Sequence, residues 1–115
     1  MTAFRLVPLH LHGALELLVG LGLMGAPFAL GLSSAAIVAG LAAGSIVVGL
    51  ALRAAVEDDL DVSAHYAFDV ALVFGLLLGA FALALSGDPA AALVFAAAAV
   101  VALALNVTTR YSARR

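Results

Sequence analysis

The chain has 115 residues, of which 66% are hydrophobic and only 10% charged, with a formal net charge of -2. A soluble domain of this size keeps roughly 25% charged residues for its surface, so the composition and a mean hydropathy of +1.25 demand lipid as the solvent. The absence of cysteine excludes disulfides and thiolate chemistry, and the weak acidic balance excludes the basic face that a nucleic-acid partner requires.

Met1–Pro8 is a short lead-in, with Pro8 suited to a first helical turn. Arg5 before an apolar run imitates a signal peptide. That reading is rejected, because His12 and Glu16 interrupt the run and an internal segment repeats it. The first apolar segment spans Leu9 to about Leu32, long enough to cross the hydrocarbon at about 1.5 Å per residue. Pro27, near its far end, frees the carbonyl of Leu23 and predicts a kink. Gly31 to Ser34 reads as a tight turn, with glycine at a C-cap and Ser33 or Ser34 at an N-cap.

The second segment, about Ala35 to Leu52, carries Gly40-xxx-Gly44 one turn after Ala36, a spacing that lets helix backbones approach in lipid. Residues 54–63 form the hydrophilic hinge, with Glu57, Asp58, Asp59 and Asp61; Asp61 or Ser63 would cap the third helix. The third segment runs from about Ala64 to Leu85 and contains Gly75-xxx-Gly79. Ser86-Gly87-Asp88-Pro89 ends it, with Asp88 as the next N-cap and Pro89 at the first helical position. The fourth segment covers Ala90 to about Val107, and the tail 108–115 carries Arg110, Arg114 and Arg115. The sequon at Asn106 abuts the membrane on the predicted cytoplasmic side and is dismissed.

Pairing residues 12–53 with 65–106 without a gap gives 16 identities, where chance in so Ala- and Leu-rich a chain gives roughly six. The expected fold is therefore all-α: a single membrane domain, a four-helix transmembrane bundle of two tandem helical-hairpin repeats, about 9–53 and 64–107. Their pseudo-twofold axis would run along the membrane normal. Every arginine (Arg5, Arg53, Arg110, Arg114 and Arg115) falls on the side of the termini and the middle loop. By the positive-inside rule both termini are cytoplasmic, in a multi-pass protein of the inner (plasma) membrane.

A helix ending in a proline-aromatic step, followed by Leu-Gly and a small-residue-rich second helix, resembles the SPW-repeat family of small bacterial membrane proteins. Gly25-Ala26-Pro27-Phe28-Ala29-Leu30-Gly31 carries the likeness, and Gly79-Ala80-Phe81 stands at the equivalent step of the second repeat. The resemblance implies the two-helix repeat and a bacterial membrane, and no activity.

One constellation carries chemistry. His12/Glu16 and His65/Asp69 are each four residues apart, hence on one helical face. Arg53 and Asn106 end the second and fourth segments, as counterparts in the gapless pairing. The duplicate symmetry would bring His12, Glu16, Arg53, His65, Asp69 and Asn106 to one depth near the cytoplasmic face. Ionisable groups there cost about 2.5–3.5 kcal/mol each at mid-membrane and less near the interface.

The preferred reading is structural: a hydrogen-bonded cluster that pins the helices, in which Arg53 neutralises one carboxylate. One alternative is a proton-linked small transporter using Glu16 and Asp69. Ala14-Leu15-Glu16 is superficially like the small multidrug-resistance transporters, but the aromatic lining for a lipophilic cation is missing, with no tryptophan. The other is a metal site of two histidines and two carboxylates, or a haem ligated by His12 and His65. His10 is read as interfacial. No nucleophile with a base is present, so the chain is read as non-enzymatic, without an assigned catalytic, cofactor or metal residue. The bilayer is its partner, and the Gly/Ala faces also suit a homo-oligomer.

The separation of the Glu16 and Asp69 carboxylates discriminates. Within roughly 6 Å, and with both histidines on the same void, a shared proton or a metal leads. If each carboxylate is closed off by its own donors, the structural reading stands.

Overall fold

The structure, a computed structural model, describes residues 6–56 and 62–109. It is all-helical: α1 is Leu9–Ala29, α2 Ser34–Val56, α3 Val62–Leu85 and α4 Pro89–Thr108. All four are long and apolar enough to cross a membrane. α1 packs on α2 and α4, and α3 on α4 and α2, so α1 and α3 face each other across the diagonal of the bundle.

The sorting of side chains is that of a protein in lipid. The interior is largely small: Ala36, Ala51, Ala80, Ala91, Ala98, Ala99 and Ala102 are buried around Leu23, Val47, Leu76 and Phe95. Large apolar residues such as Leu18, Phe28, Ile46, Phe74, Leu78, Phe81 and Leu93 point outward. Lipid tails are as apolar as leucine, so no hydrophobic force draws large side chains inward, and helices associate by close backbone packing. The first hairpin does this through Gly20, Gly40 and Gly44, where an added Cβ would collide with α1 or α2. The second Gly-xxx-Gly pair behaves differently. Gly79 is overlaid by the Phe95 ring, whereas Gly75 faces open space.

Both hairpins turn the same way. Gly31 (φ 64°) and Gly87 (φ 91°) adopt the left-handed conformation just past their helices. Leu32 N–H donates to Pro27 O and Gly31 N–H to Phe28 O; Asp88 N–H donates to Leu83 O and Gly87 N–H to Ala84 O. These paired bonds are Schellman C-caps, which satisfy carbonyls that lipid could not. Ser33 Oγ then accepts from Ala36 N–H and caps α2. The helices are longer than expected at the middle of the chain: α2 continues to Val56, and Ser63 lies inside the first turn of α3 rather than capping it. Asp61 and the rest of 57–61 lie outside the described residues.

Asp88 ties the two turns together. Its Oδ1 accepts from Ala91 N–H, and its Oδ2 accepts from the backbone N–H and hydroxyl of Ser33. The Ser33 hydroxyl, then the Ala91 and Ser33 amides, hold its carboxyl below the ordinary aspartate value of 3.8. A depressed folded-state pKa stabilises above the unfolded value and is lost as pH falls through the folded one. The midpoint of thermal unfolding in detergent is therefore expected to fall below about pH 4 in the wild type. Asp88→Asn removes the part of that decline that belongs to this carboxylate. Identical acid profiles for the two proteins would refute it.

The gapless pairing of the two halves describes α1 and α3 well and α2 and α4 badly. His12/His65, Glu16/Asp69, Gly20/Val73, Leu23/Leu76 and Pro27/Ala80 are all buried. On α2 the buried stripe is Ala36, Gly40, Gly44, Val47 and Ala51, and on α4 it is Ala91, Phe95, Ala99, Ala102 and Asn106. These stripes correspond at a spacing of 55 residues rather than 53. The cause is at the turn: three more residues separate His65 from Gly87 than His12 from Gly31, and the following connection is one residue shorter. Two residues on an α-helix rotate a side chain by about 200°. Asn106 thus corresponds to buried Ala51, and Arg53 turns to the exposed side of α2.

Candidate metal centre

The buried chemistry sits at the end of the bundle where Val7 meets the close of α4. His12, Glu16, His65 and Asp69 are 1%, 4%, 2% and 1% exposed. The i, i+4 spacing places each histidine and carboxylate on the inward face of its helix. Because α1 and α3 lie across the diagonal, all four side chains reach into the same central space.

Four of the six separations within this quartet form a closed ring. His12 Nε2 is 3.0 Å from Asp69 Oδ2, which is 3.4 Å from His65 Nε2. His65 Nε2 is 3.5 Å from Glu16 Oε1, which is 3.7 Å from His12 Nε2. Nitrogen and oxygen alternate, so each carboxylate stands between two imidazoles. One ligand atom from each of the four residues lies within 4.8 Å of all the others. The carboxylates therefore meet the separation condition for a shared proton or metal, and neither is closed off within its own half of the chain. The condition on the histidines is met by proximity to both carboxylates rather than by a common void, since His12 but not His65 lines the small void beside Glu16.

The surroundings fix the direction of hydrogen bonding at His12. Thr109 is fully buried, and its hydroxyl donates to Leu105 O. Its oxygen therefore accepts from His12 Nδ1–H, at 2.7 Å. A neutral imidazole with hydrogen on Nδ1 presents a lone pair at Nε2. Asp69 Oδ2, 3.0 Å away, presents another. Two lone pairs at that distance need a cation between them, a proton or a metal ion. Glu16 Oε1 is buried and makes no hydrogen bond among the described residues. It borders a void of about 10 Å³ lined by His12, Glu16, Asn106 and five apolar residues.

Asn106 joins the site from α4, its amide donating to the backbone carbonyl of Asp69 at 3.1 Å. That bond ties α4 to the α3 backbone beside the carboxylate. Arg53, expected beside the carboxylates, is instead exposed in the last turn of α2, because of the two-residue rotation described above. There its charge complements the C-terminal end of the helix dipole. His10 is exposed. The His12 and His65 rings meet edge to face with centroids 5.9 Å apart, and both carboxylates flank the gap between their Nε2 atoms. That leaves no slot for a haem.

Thr109 was assigned to the tail by the sequence. It is held in place because Val7 N–H donates to Thr108 O at 2.9 Å, which pairs the lead-in with the end of α4. No family model, curated protein or solved structure matches this chain.

Proposed function

We propose that this protein is an integral membrane protein of a bacterial plasma membrane that binds one divalent transition-metal ion through His12, Glu16, His65 and Asp69. The ring of alternating nitrogen and oxygen atoms carries the proposal. A tetrahedral ion with ligands at about 2.0–2.2 Å has ligand–ligand edges of about 3.3–3.6 Å. The four ring edges of 3.0, 3.4, 3.5 and 3.7 Å bracket that value, and with all ligand atoms within 4.8 Å of one another a diagonal of the ring has to shorten by about 1 Å to complete the tetrahedron. Zn²⁺ suits this donor set best, having no geometric preference of its own.

Electrostatics supports the same reading. A divalent ion, two carboxylates and two neutral imidazoles sum to zero charge, which is the state a membrane interior tolerates. A proton would serve one His–carboxylate pair, but the ion engages all four groups at once. With four protein ligands the site is closed, so the ion fastens α1 to α3 rather than turning over a substrate. The tandem hairpins and the SPW-repeat likeness fit this proposal, since duplication would supply each half of the ligand set. With the arginines inside, the ion would lie about one to two helical turns from the cytoplasmic face.

The test is metal content and spectroscopy on the full chain in detergent micelles. Protein stripped with a chelator and titrated with Co²⁺ is expected to take up about one ion per chain, with the intense visible bands of tetrahedral Co²⁺, and to lose them to Zn²⁺. Zn²⁺ at a hundred times its Kd should raise stability by about 2.7 kcal/mol. A chain that retains no ion, or a stability indifferent to zinc, would overturn the proposal.

A further inference from the structure

Thr109 stands outside the ligand set, yet its bond to His12 defines what that ligand can do. We propose that Thr109 is a positioning residue for the metal site, selecting the His12 tautomer that aims the Nε2 lone pair at the ion. The inference rests on the metal reading above.

The geometry forms a relay of one direction. Thr109 Oγ1 donates to Leu105 O, one turn back on α4, which uses its only hydrogen. Its oxygen can then only accept, and the partner at 2.7 Å is His12 Nδ1. An imidazole that donates from Nδ1 coordinates from Nε2, the nitrogen that faces Asp69 and Glu16. Metal-bound histidines are oriented in this way by a neighbour on the second nitrogen, and loss of such a neighbour costs 10–100-fold in affinity.

The two halves of the site are unequal in this respect. The residues of the first hairpin that correspond to Thr109, at spacings of 55 and 53, are Ala54 and Val56, and neither carries a hydroxyl. The relay also makes the end of α4 part of a site whose ligands come from α1 and α3. Thr109 is held there by the pairing of Val7 with Thr108, so the contact between Val7 and the end of α4 is linked to ion binding.

The test compares Thr109→Val, which keeps the shape and removes the hydroxyl, with Thr109→Ser, which restores it. Co²⁺ is titrated into the full chain, and ¹⁵N-histidine NMR reports the tautomer in the Zn²⁺-loaded wild type. Thr109→Val is expected to weaken Co²⁺ binding by about 10–100-fold and to alter the visible spectrum, with Thr109→Ser close to wild type. The Zn²⁺-loaded wild type should show two histidines bound through Nε2 with hydrogen on Nδ1, the one lost in His12→Ala being His12. Wild-type Co²⁺ affinity and spectrum in Thr109→Val, or His12 bound through Nδ1, overturns the role of Thr109 and leaves the metal site standing. If Thr109→Val does not fold, the serine variant and the NMR decide. Failure of the wild type to bind Co²⁺ overturns both.

Discussion

Asp69→Asn is expected to abolish tetrahedral Co²⁺ binding, weakening affinity by more than the 10–100-fold typical of losing an orienting neighbour. Asp69 Oδ2 is the most central atom of the ring, 3.0 Å from His12 Nε2 and 3.4 Å from His65 Nε2. Its amide replacement removes an anionic ligand and leaves a divalent ion facing Glu16 alone. The loaded site would then carry a net positive charge among Val47, Leu72 and Leu105, a cost on the order of several kcal/mol. Glu16→Gln should have the same sense of effect on binding. The three functional readings separate on these variants. In a purely structural cluster Glu16→Gln disturbs folding mildly and Co²⁺ is never bound. In a proton-linked transporter it ends uptake while expression is unchanged. In the metal site both variants lose the ion and also lose the stabilisation by zinc. Co²⁺ spectra and zinc-dependent unfolding on the same preparations separate the metal site from the other two, an uptake assay of Glu16→Gln separates those two, and a tetrahedral Co²⁺ spectrum that survives Asp69→Asn would exclude Asp69 as a ligand.

What could be read from the chain and what could not have physical explanations. His12/Glu16 and His65/Asp69 were legible because i, i+4 spacing is a property of one helix, and because polar residues in an apolar run must face inward. The hairpin turns were legible for the same local reason: glycine at a left-handed C-cap, and serine or aspartate at an N-cap, are chemical requirements. The place of Arg53 was not. Residue identity favours a spacing of 53 across the whole hairpin, whereas burial in α2 and α4 follows 55. Nearly one extra turn in α3 and a shorter connection re-phase the fourth helix, and similarity dominated by Ala, Leu and Val cannot sense a rotation. Thr109 was invisible for a different reason. Its role depends on the close of α4 meeting the start of α1, a contact 97 residues long in sequence with no periodic signature.

Of the glycines in the first hairpin, Gly40 is the one whose added Cβ would come nearest to backbone, and Gly40→Ala is expected to destabilise the hairpin by about 1–3 kcal/mol through overpacking. An added Cβ at Gly40 would stand 2.5 Å from Leu23 O and 2.8 Å from Pro27 Cγ. Leu23 O is the carbonyl that Pro27 deprives of its helical donor, and in lipid such a group needs cover from the protein. The bare Cα of Gly40 supplies it at close range, so the clash is with backbone and cannot be relieved by a rotamer change. The usual gain of about 0.5–1 kcal/mol from replacing a helical glycine by alanine works in the opposite direction and is too small to offset the clash. Gly22→Ala isolates that gain, because nothing lies within 4 Å of the place its methyl group would take; it should be neutral or mildly stabilising. Unfolding both variants with increasing SDS gives the comparison. If Gly40→Ala is as stable as Gly22→Ala, α1 and α2 are not in backbone contact at Gly40, and the glycine-mediated approach of the first hairpin must be abandoned.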